Sequence, residues 1–281
     1  MVKTKVILLL SAALVLSSCS YSFKWEKFRI DGHRTGVTVP NAVNVKEALG
    51  VVEDGVYKAP VGKEFKGGAT AAVAALLIDV QPAMARLKEV VAFAPEAMPK
   101  GRPESPLGNF IVDRVYEDVS ALVAPDGRKV DIAITNMGGI RVDIAAGDVL
   151  LDDIVSMLPF RNYLCYVQIP GSELRKAFEH MAENGVQCIS HARMSVKDRQ
   201  LLSAEVDGAP LDDERLYGVA TIDFLLDGGD GFKLARGAQD YYISEIKIGD
   251  AILADIRSLT AEGKPLAYKT DGRVSIVEES L

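Results

Sequence analysis

The chain has 281 residues, of which 48% are hydrophobic and 25% are charged. A chain of this length and composition can bury a substantial core, so disordered, collagen-like and small disulfide-stapled proteins are excluded. The formal net charge of -7 provides no basic surface for a phosphate backbone, and we expect no nucleic-acid partner.

The first residues have the pattern of a secretory signal. Two lysines precede an apolar run at residues 6–16, which is too short for a comfortable transmembrane helix. The Leu-Ser-Ser-Cys sequence at residues 16–19 resembles a bacterial lipobox, in which the cysteine becomes the lipid-bearing first residue of the mature chain. We expect residues 1–18 to be a lipoprotein signal peptide and Cys19 to anchor the chain in the bacterial cell envelope, on the periplasmic face or the cell surface. The alternative is an ordinary signal peptide with an incidental cysteine.

Residues 19–66 are predicted to form an N-terminal strand or hairpin segment. Aromatic and charged side chains alternate over residues 21–39, and Asp31-Gly32 is typical of a two-residue hairpin turn. These observations favour an antiparallel strand pair ahead of the main domain, which we place at residues 67–281.

An alanine-rich segment opens the main domain. Apolar side chains recur there every three or four residues over 69–91, which predicts a helix. The helix should be bent or broken at Pro82, because proline cannot donate to the helical ladder. From Leu107 the same spacing predicts a second amphipathic helix, which ends at Pro125-Asp126-Gly127.

The rest of the chain alternates β-branched runs with amphipathic ones. A helix that starts at Pro170-Gly171 places four apolar side chains on one face and ends at Asn184-Gly185. The other predicted elements are strands at residues 129–135, 163–169, 201–206, 217–222 and 273–277 and helices at residues 151–158 and 251–259. Because helices and strands alternate with hairpins inserted, the expected fold class is α+β, a mixed sheet with packed helices.

Histidine and cysteine are too few and too scattered to predict a metal centre. The three histidines, His33, His180 and His191, show no H-x-H or H-x-x-x-H spacing. We expect His180 and His191 to be surface or structural residues, and we expect no cofactor in this chain. In an exported protein Cys165 and Cys188 could form a disulfide, or both could stay buried and reduced.

Two motifs follow predicted elements at positions where ligands commonly meet a sheet. In Asn136-Met137-Gly138-Gly139-Ile140-Arg141 the glycines let a ligand approach the backbone, and the arginine can hold a phosphate through paired hydrogen bonds. In Leu158-Pro159-Phe160-Arg161-Asn162 the phenylalanine offers a stacking face for a planar base, and the asparagine can pair with a base edge. Taken alone, the first motif is more typical of a turn and the phenylalanine more typical of a core.

Two further motifs have polar side chains beside glycine. Residues 223–232 combine Phe224, a glycine turn and Asp230, whose carboxylate could accept hydrogen bonds from two vicinal ribose hydroxyls. A calcium loop is the competing interpretation, but the D-x-D-x-D-G spacing and its distal glutamate are absent. The fourth motif, Glu104-Ser105-Pro106-Leu107-Gly108-Asn109, lies at a helix start with Arg102 just upstream.

These four motifs occur in the order and at roughly the separations found in the C-terminal domain of the 5'-nucleotidase family, and the chain resembles that domain from about Gly67 to near its C-terminus. The resemblance implies a pocket in which two phenylalanines sandwich the base, an asparagine contacts the base, an aspartate holds the ribose hydroxyls and an arginine contacts phosphate or ribose. Carried over by motif, these residues are Phe160 and Phe224, Asn162, Asp230 and Arg141, with Asn136 lining the same pocket and Arg102 matching the family arginines less closely in position.

The resemblance ends where that family holds its metals. Complete 5'-nucleotidases resemble calcineurin-type phosphoesterases in their N-terminal half, with G-N-H-D and H-x-H motifs, and neither motif occurs in residues 21–67. The resemblance therefore implies a substrate-recognition domain with no catalytic residue of its own. It would act with a separate metallophosphoesterase chain that supplies the divalent metal and the attacking water.

Three alternatives remain open from the sequence. A non-catalytic lipoprotein that binds nucleosides or nucleotides for uptake would need the same rings and polar groups. Independent hydrolysis is opposed by the absence of a G-x-S-x-G motif. A sheet protein with a degenerate pocket would bury Phe160 and Phe224 in the core, and the two rings would not face each other.

Overall fold

The computed structural model describes residue 40 and residues 43–277, so residues 1–18, Cys19 and the hairpin predicted at residues 21–39 lie outside the described part of the chain. The helices, labelled in chain order, are α1 (Val45–Leu49), α2 (Gly68–Asp79), α3 (Gln81–Met84), α4 (Pro106–Val123), α5 (Leu151–Met157), α6 (Gly171–Asn184) and α7 (Ile248–Ala261). The strands are β1 (Val51–Glu53), β2 (Val56–Lys58), β3 (Glu64–Lys66), β4 (Val90–Ala94), β5 (Ile132–Thr135), β6 (Gly147–Leu150), β7 (Tyr163–Pro170), β8 (Cys188–Ser190), β9 (Ala192–Lys197), β10 (Gln200–Val206), β11 (Ala209–Pro210), β12 (Leu216–Ile222), β13 (Asp240–Lys247) and β14 (Val274–Ile276). Short 3-10 turns lie at Ala85–Lys88, Ala124–Asp126, Met137–Gly139, Asp223–Leu225 and Gly229–Gly231.

A five-stranded mixed sheet in the order β13-β7-β12-β5-β8 positions the functional loops. Within it β12 runs parallel to β5 and antiparallel to β7, so that Ala220 lies opposite Ala133 on one side and Tyr166 on the other. All four residues of β5 are buried, as expected for a central strand that is covered on both faces. The expected α+β fold, a mixed sheet with packed helices, is confirmed.

Helix α4 supplies much of the core. Its start is fixed by Ser105, whose hydroxyl accepts a hydrogen bond from the Gly108 amide over 3.1 Å. The apolar residues on its inner face are spaced three or four apart, and Ile111 and Val115 are at most 1% exposed. The 3-10 turn after the helix closes at Gly127 in the left-handed region. The helix predicted between Leu107 and this glycine is therefore confirmed.

Helix α6 has the apolar face that its sequence predicts. Leu174, Phe178 and Met181 are all fully buried, and the helix packs against β7 and β10. It ends at Asn184, where the Gly185 amide donates to the Met181 carbonyl over 3.0 Å.

The segment predicted as a single helix over residues 69–91 contains two helices and the start of a strand in the structure. Helix α2 ends at Asp79, and α3 begins at Gln81 with Pro82 in its first turn, which confirms the break at the proline. The end of the prediction is wrong, because Val90 and the residue after it belong to β4, which pairs with β6. No single described helix is long and apolar enough to cross a membrane, although α2 and residues 81–88 pass that test together across a bend of 42°.

Strands β1, β2 and β3 form a small antiparallel sheet against which α2 packs. Val73, Leu76 and Leu77 of α2 are each at least half exposed. The boundary placed at residue 67 lies between this sheet and α2 and stays a prediction.

A four-stranded sheet in the order β11-β10-β9-β14 holds the C-terminal strand, with β14 parallel to β9. Just before β14, the largely buried Arg273 donates to both carboxylate oxygens of Asp113 in α4, over 2.7 and 3.0 Å. The Tyr268 hydroxyl donates to the same carboxylate over 2.6 Å. Burial opposes the ionisation of Asp113, but these hydrogen bonds outweigh it and lower the pKa of Asp113 below its ordinary value. The C-terminal strand is thus tied to the core helix by a buried ion pair.

Both cysteines of the described fold are free thiols. Cys165 and Cys188 are buried and do not form the disulfide that the sequence left open. Burial raises the pKa of each thiol to about 12. Neither is therefore a thiolate at neutral pH.

Candidate functional site

The strand order brings three of the predicted motifs to one edge of the five-stranded sheet. Ile222, the last residue of β12, pairs with Leu164 near the start of β7. Because β5 is parallel to β12, the end of β5 reaches the same edge. The loops that follow Thr135 and Ile222 and the loop that precedes Tyr163 therefore meet there.

Asn136 and Asp230 join two of these loops directly. The Asn136 side-chain amide donates to Asp230 Oδ2 over 2.7 Å, and Asn136 is only 6% exposed. Since a carboxylate only accepts hydrogen bonds, this contact fixes the orientation of the Asn136 amide. A Cβ at Gly139 would stand 2.9 Å from Asn136 Oδ1, so this glycine of the motif makes room for the asparagine.

Phe160 and Arg141 form a second pair at this edge. The Phe160 ring is 48% exposed, and the Arg141 guanidinium lies 5.7 Å from the ring centroid. Arg141 Nη1 also donates to the Gly138 carbonyl over 3.0 Å, which holds its side chain against its own loop. Lys100 adds positive charge nearby, and its Nζ donates to the Ile140 carbonyl over 2.6 Å.

Phe224 is 43% exposed and lies in the 3-10 turn after β12. Asp223 Oδ1 accepts hydrogen bonds from the amides of Phe224 (2.8 Å) and Tyr163 (3.1 Å), so one carboxylate ties this turn to the start of β7. A Cβ at Gly229 would stand 2.0 Å from the Phe224 carbonyl oxygen, so only glycine permits the close fold of the 223–232 loop.

Asn162 completes the group around a small open cavity. Its backbone carbonyl accepts a hydrogen bond from the Ile248 amide at the start of α7, over 2.9 Å. Asn136, Phe160 and Asn162 line the cavity together with Ile140 and Ile248. Asp230 and Arg141 do not line this cavity themselves, but each contacts a side chain that does, Asn136 and Phe160 respectively.

Arg102 is placed differently from the other predicted residues. Its Nε donates to the Val186 carbonyl over 2.6 Å, and its Nη2 lies 3.4 Å from Gln187 Oε1. The same Gln187 oxygen accepts a hydrogen bond from the Met137 amide over 2.8 Å. Arg102 therefore reaches the 136–141 loop through Gln187, and no direct contact joins it to the other predicted side chains among the described residues.

The fourth motif has a structural task. Ser105 caps α4, and Asn109 donates to Glu104 Oε1 over 2.6 Å. The same Glu104 oxygen accepts from the Asp271 amide over 2.7 Å. These bonds tie the helix start to the segment before β14.

Three polar residues of this region were not predicted as site residues. Gln187 and Asp223 hold loop backbones, as described above, and His180 contacts the Asp230 carbonyl over 2.8 Å. Asp223 had a signal, since it is the polar residue directly between a strand and an aromatic ring. Gln187 and His180 had none, because each acts on a loop at least 50 residues away in sequence.

Comparison with known proteins places these motifs in a family. Residues 83–236 match the family model described as 5'-nucleotidase, C-terminal domain. The chain is similar to an apyrase of Tabanus yao, with 26% identity over 195 residues that cover 61% of this chain and 34% of the apyrase. It is also similar to Protein UshA of Yersinia enterocolitica, with 35% identity over 107 residues that cover 36% of this chain and 20% of that protein.

Solved structures show the same relationship. The 5'-nucleotidase precursor of Thermus thermophilus superimposes with a TM-score of 0.64 and 26% identity, over 75% of this chain and 44% of that one. The NAD nucleotidase of Haemophilus influenzae, at 19% identity and a TM-score of 0.55, shares the fold over 79% of this chain and 48% of that one. This chain spans less than half the length of each of these four proteins. The matched segment is more than half of the chain and contains every residue predicted for the pocket, so the chain belongs to the 5'-nucleotidase C-terminal domain family.

Proposed function

We propose that this chain is the nucleotide- or nucleoside-recognition component of a 5'-nucleotidase-type phosphohydrolase. The observation that carries the proposal is the 2.7 Å hydrogen bond between Asn136 and Asp230. It joins two glycine-rich loops at the sheet edge where Phe160 and Phe224 are exposed. Membership of the family supports the same role.

In this proposal the base stacks between Phe160 and Phe224. Rings that are nearly half exposed in the free protein gain apolar contact when a base covers them. Asn162, on the same cavity wall, would pair with the base edge.

The sugar and phosphate would meet the two loops. Asn136 occupies Asp230 Oδ2, whereas Asp230 Oδ1 accepts no hydrogen bond from any described residue, so Oδ1 can accept from a ribose hydroxyl. Arg141 uses Nη1 for the Gly138 carbonyl and keeps its other N–H groups for a phosphate or ribose oxygen.

Hydrolysis would need a metal centre from another chain. The chain has three histidines and lacks the G-N-H-D and H-x-H motifs, and its one Asp-x-His triplet, Asp31-Gly32-His33, lies outside the described residues. Within residues 43–277 no group of three histidine, cysteine or acidic side chains could hold a metal ion. A separate metallophosphoesterase chain would supply the divalent metal and the water, and this chain would hold and orient the substrate.

The location proposed for this component is the bacterial cell envelope. Cys19 would carry the lipid, and residues 1–18 would be removed as the signal peptide. Metabolic labelling with a palmitate analogue tests this part, since a Cys19→Ser variant should lose the label while a Cys165→Ser variant keeps it.

Calorimetric titration of adenosine and AMP into purified residues 20–281, in buffer with a chelator, tests recognition. Micromolar binding is expected. Binding to neither ligand would contradict the proposed function.

The same preparation tests whether hydrolysis requires a separate metallophosphoesterase chain. No release of phosphate from AMP is expected after addition of manganese alone, and turnover by the lone chain would contradict the need for a partner. A metallophosphoesterase chain from the same organism should gain AMP hydrolysis when this chain is added. The Phe160→Ala variant should increase AMP hydrolysis less than the wild-type chain does. A general stabilising effect of added protein would instead be the same for the variant and the wild type.

A further inference from the structure

The imidazole of His180 holds the backbone of Asp230. His180 Nε2 lies 2.8 Å from the Asp230 carbonyl oxygen. A carbonyl only accepts, so Nε2 carries the proton and donates. The other ring nitrogen, Nδ1, lies 3.1 Å from the Asn184 side-chain amide nitrogen, which can donate to it. Both nitrogens of a neutral imidazole are therefore satisfied, and its tautomer is fixed.

Packing locks the same ring against the loop. The His180 ring meets Phe232 edge-to-face, with centroids 4.8 Å apart and planes at 79°, and Phe232 is only 2% exposed. A Cβ at Gly231 would stand 2.6 Å from His180 Cε1. The loop thus approaches the imidazole more closely than any other residue type at position 231 would allow.

Asp230, whose carbonyl His180 contacts, has an unfavourable backbone conformation. Asp230 has φ of 49° and ψ of 24°, in the left-handed region, and Gly231 follows with φ of 83°. For a residue with a Cβ this conformation costs on the order of 1 kcal/mol and persists only where surrounding contacts enforce it. The hydrogen bond to the Asp230 carbonyl and the Asn136 bond to its carboxylate are such contacts, and they act together with the backbone hydrogen bonds of the turn itself.

The face of α6 that carries His180 approaches the loop at two points and lines an open cavity with it. Positions 173, 177, 180 and 184 fall on one side of the helix. Glu173 Cγ would be 3.4 Å from a Cβ at Gly237, and Glu173 pairs with Lys176 over 2.7 Å. Glu173 and His180 on this face therefore lie next to residues 237 and 231 of the loop, respectively.

We propose that His180 is a positioning residue for sugar recognition: it fixes the Asp230 backbone so that the free carboxylate oxygen faces a ribose hydroxyl. The inference rests on the proposed function and adds a residue that no motif of the sequence marked. His180 would touch neither the nucleoside nor the phosphate. Its effect should appear in the discrimination between ribose and deoxyribose and not in the stacking of the base.

The test compares three variants with the wild-type protein. His180→Phe keeps an aromatic edge for Phe232 but cannot donate to the Asp230 carbonyl. His180→Gln places an amide donor near the position of Nε2 and should rescue the function. Glu179→Ala alters an exposed neighbour on the same helix and serves as the matched control.

The main readout is the ratio of the Kd for 2'-deoxyadenosine to the Kd for adenosine. We expect His180→Phe to lower this ratio by about five- to tenfold, as for the loss of one well-placed hydrogen bond. His180→Gln should restore most of the ratio, and Glu179→Ala should leave it unchanged. A His180→Phe protein that binds adenosine with the wild-type ratio would overturn the inference.

Amide hydrogen exchange at Gly231 and Phe232 gives a second readout that needs no ligand. His180→Phe should speed exchange at these two amides at least tenfold, relative to amides of β12. If the wild-type protein binds neither nucleoside, the proposed function fails, and unchanged exchange in His180→Phe would then overturn the positioning role separately. If His180→Phe does not fold, Asn184→Ala takes its place, because it removes the hydrogen bond to Nδ1 together with a 3.2 Å bond to the His180 carbonyl and leaves the imidazole in the protein. It should give the same changes in smaller size, and no change would overturn the inference.

Discussion

The side-chain amide of Asn136 donates to the carboxylate of Asp230 over 2.7 Å, although the two residues are 94 positions apart in sequence. One loop follows β5 and the other follows β12, and these strands are parallel neighbours. The bond makes the two glycine-rich loops a single unit at the sheet edge.

Removing either aromatic ring should weaken nucleoside binding. Stacking on an aromatic side chain contributes on the order of 1–3 kcal/mol per base, so Phe160→Ala and Phe224→Ala should each raise the Kd for adenosine about ten- to a hundredfold. Calorimetric titration measures the change. The matched control is Phe93→Ala, since Phe93 is similarly exposed at 54% but lies on β4. Equal losses in all three variants would show that the rings do not form the base site.

Removing the Asp230 carboxylate should affect the sugar selectively. Hydrogen bonds to charged groups contribute about 1.5–3 kcal/mol, so Asp230→Ala should weaken adenosine binding strongly and 2'-deoxyadenosine binding much less. Asn136→Ala should show part of the same loss, because the carboxylate then lacks its support. In the double variant the two effects should not add, since both act through one hydrogen bond. Additive losses would mean that Asn136 and Asp230 act on the ligand independently.

A carboxyl group between α4 and α7 should make the protein less stable at neutral pH than at mildly acidic pH. Burial, and secondarily the charge of Asp118, raises the pKa of Asp255 from 3.8 to about 6. The folded state therefore binds this proton more tightly than the unfolded state, and the free energy of unfolding falls as pH rises through this window. The Oδ2 atoms of Asp118 and Asp255 are buried, and neither accepts a hydrogen bond from a described residue.

Asp255→Asn should remove the loss of stability that follows when the buried carboxyl of Asp255 ionises. Its Tm should exceed that of the wild type by a few degrees at pH 7.5, for a gain on the order of 1–2 kcal/mol, and the difference should shrink toward pH 4. The exposed Asp250→Asn on the same helix is the control and should show no such pH-dependent gain. A difference between Asp255→Asn and wild type that does not vary with pH would contradict the explanation.

The buried pair of Arg273 and Asp113 should be costly to break. Arg273→Met leaves the Asp113 carboxylate buried without its charged partner, and we expect a loss of about 3–5 kcal/mol in the free energy of unfolding. Urea denaturation measures it. Arg257→Met is the control, because Arg257 pairs with Glu89 at the exposed surface and should cost at most about 1 kcal/mol. Similar losses in the two variants would be inconsistent with a desolvated pair at Asp113.

The two thiols should be unreactive in the folded protein. With pKa values raised to about 12 by burial, Cys165 and Cys188 carry almost no thiolate at pH 8. An aromatic disulfide reagent added to residues 20–281 should titrate no thiol under native conditions and two in guanidinium chloride. Added reductant should leave the Tm unchanged. Rapid native labelling, or a Tm that falls with reductant, would contradict the buried free thiols.

The elements that were predictable from the sequence are those whose periodicity is set by one continuous core face. Helix α4 and helix α6 have regular apolar spacing, and β7 and β12 are seven- or eight-residue segments in which about half of the residues are β-branched or aromatic. Strand β8 has three residues and pairs at the edge of the sheet, so no local pattern marks it. The edge strand β13 is mostly polar or exposed and is defined by its pairing with β7.

The candidate site was predictable as a set of motifs but not as a geometry. Sequence order indicated that Asn136, Phe160 and Phe224 each stand next to a strand end. It could not indicate that the Asn136 amide would donate a hydrogen bond to Asp230, because that contact depends on the parallel pairing of β5 and β12. His180 and Gln187 were missed for the same reason, since a side chain that supports a distant loop leaves no local pattern.

Strands β5, β7 and β12 come from separate parts of the chain, and the candidate site exists only once all three are paired. Helices such as α6 can form from local contacts, whereas this edge requires loop closures over long stretches of chain, which form slowly. The capacity to bind a nucleoside should therefore be acquired late in folding. A ligand that binds only the completed sheet also draws the folding equilibrium toward it, so the proposed nucleoside ligand would help to keep this edge of the domain assembled.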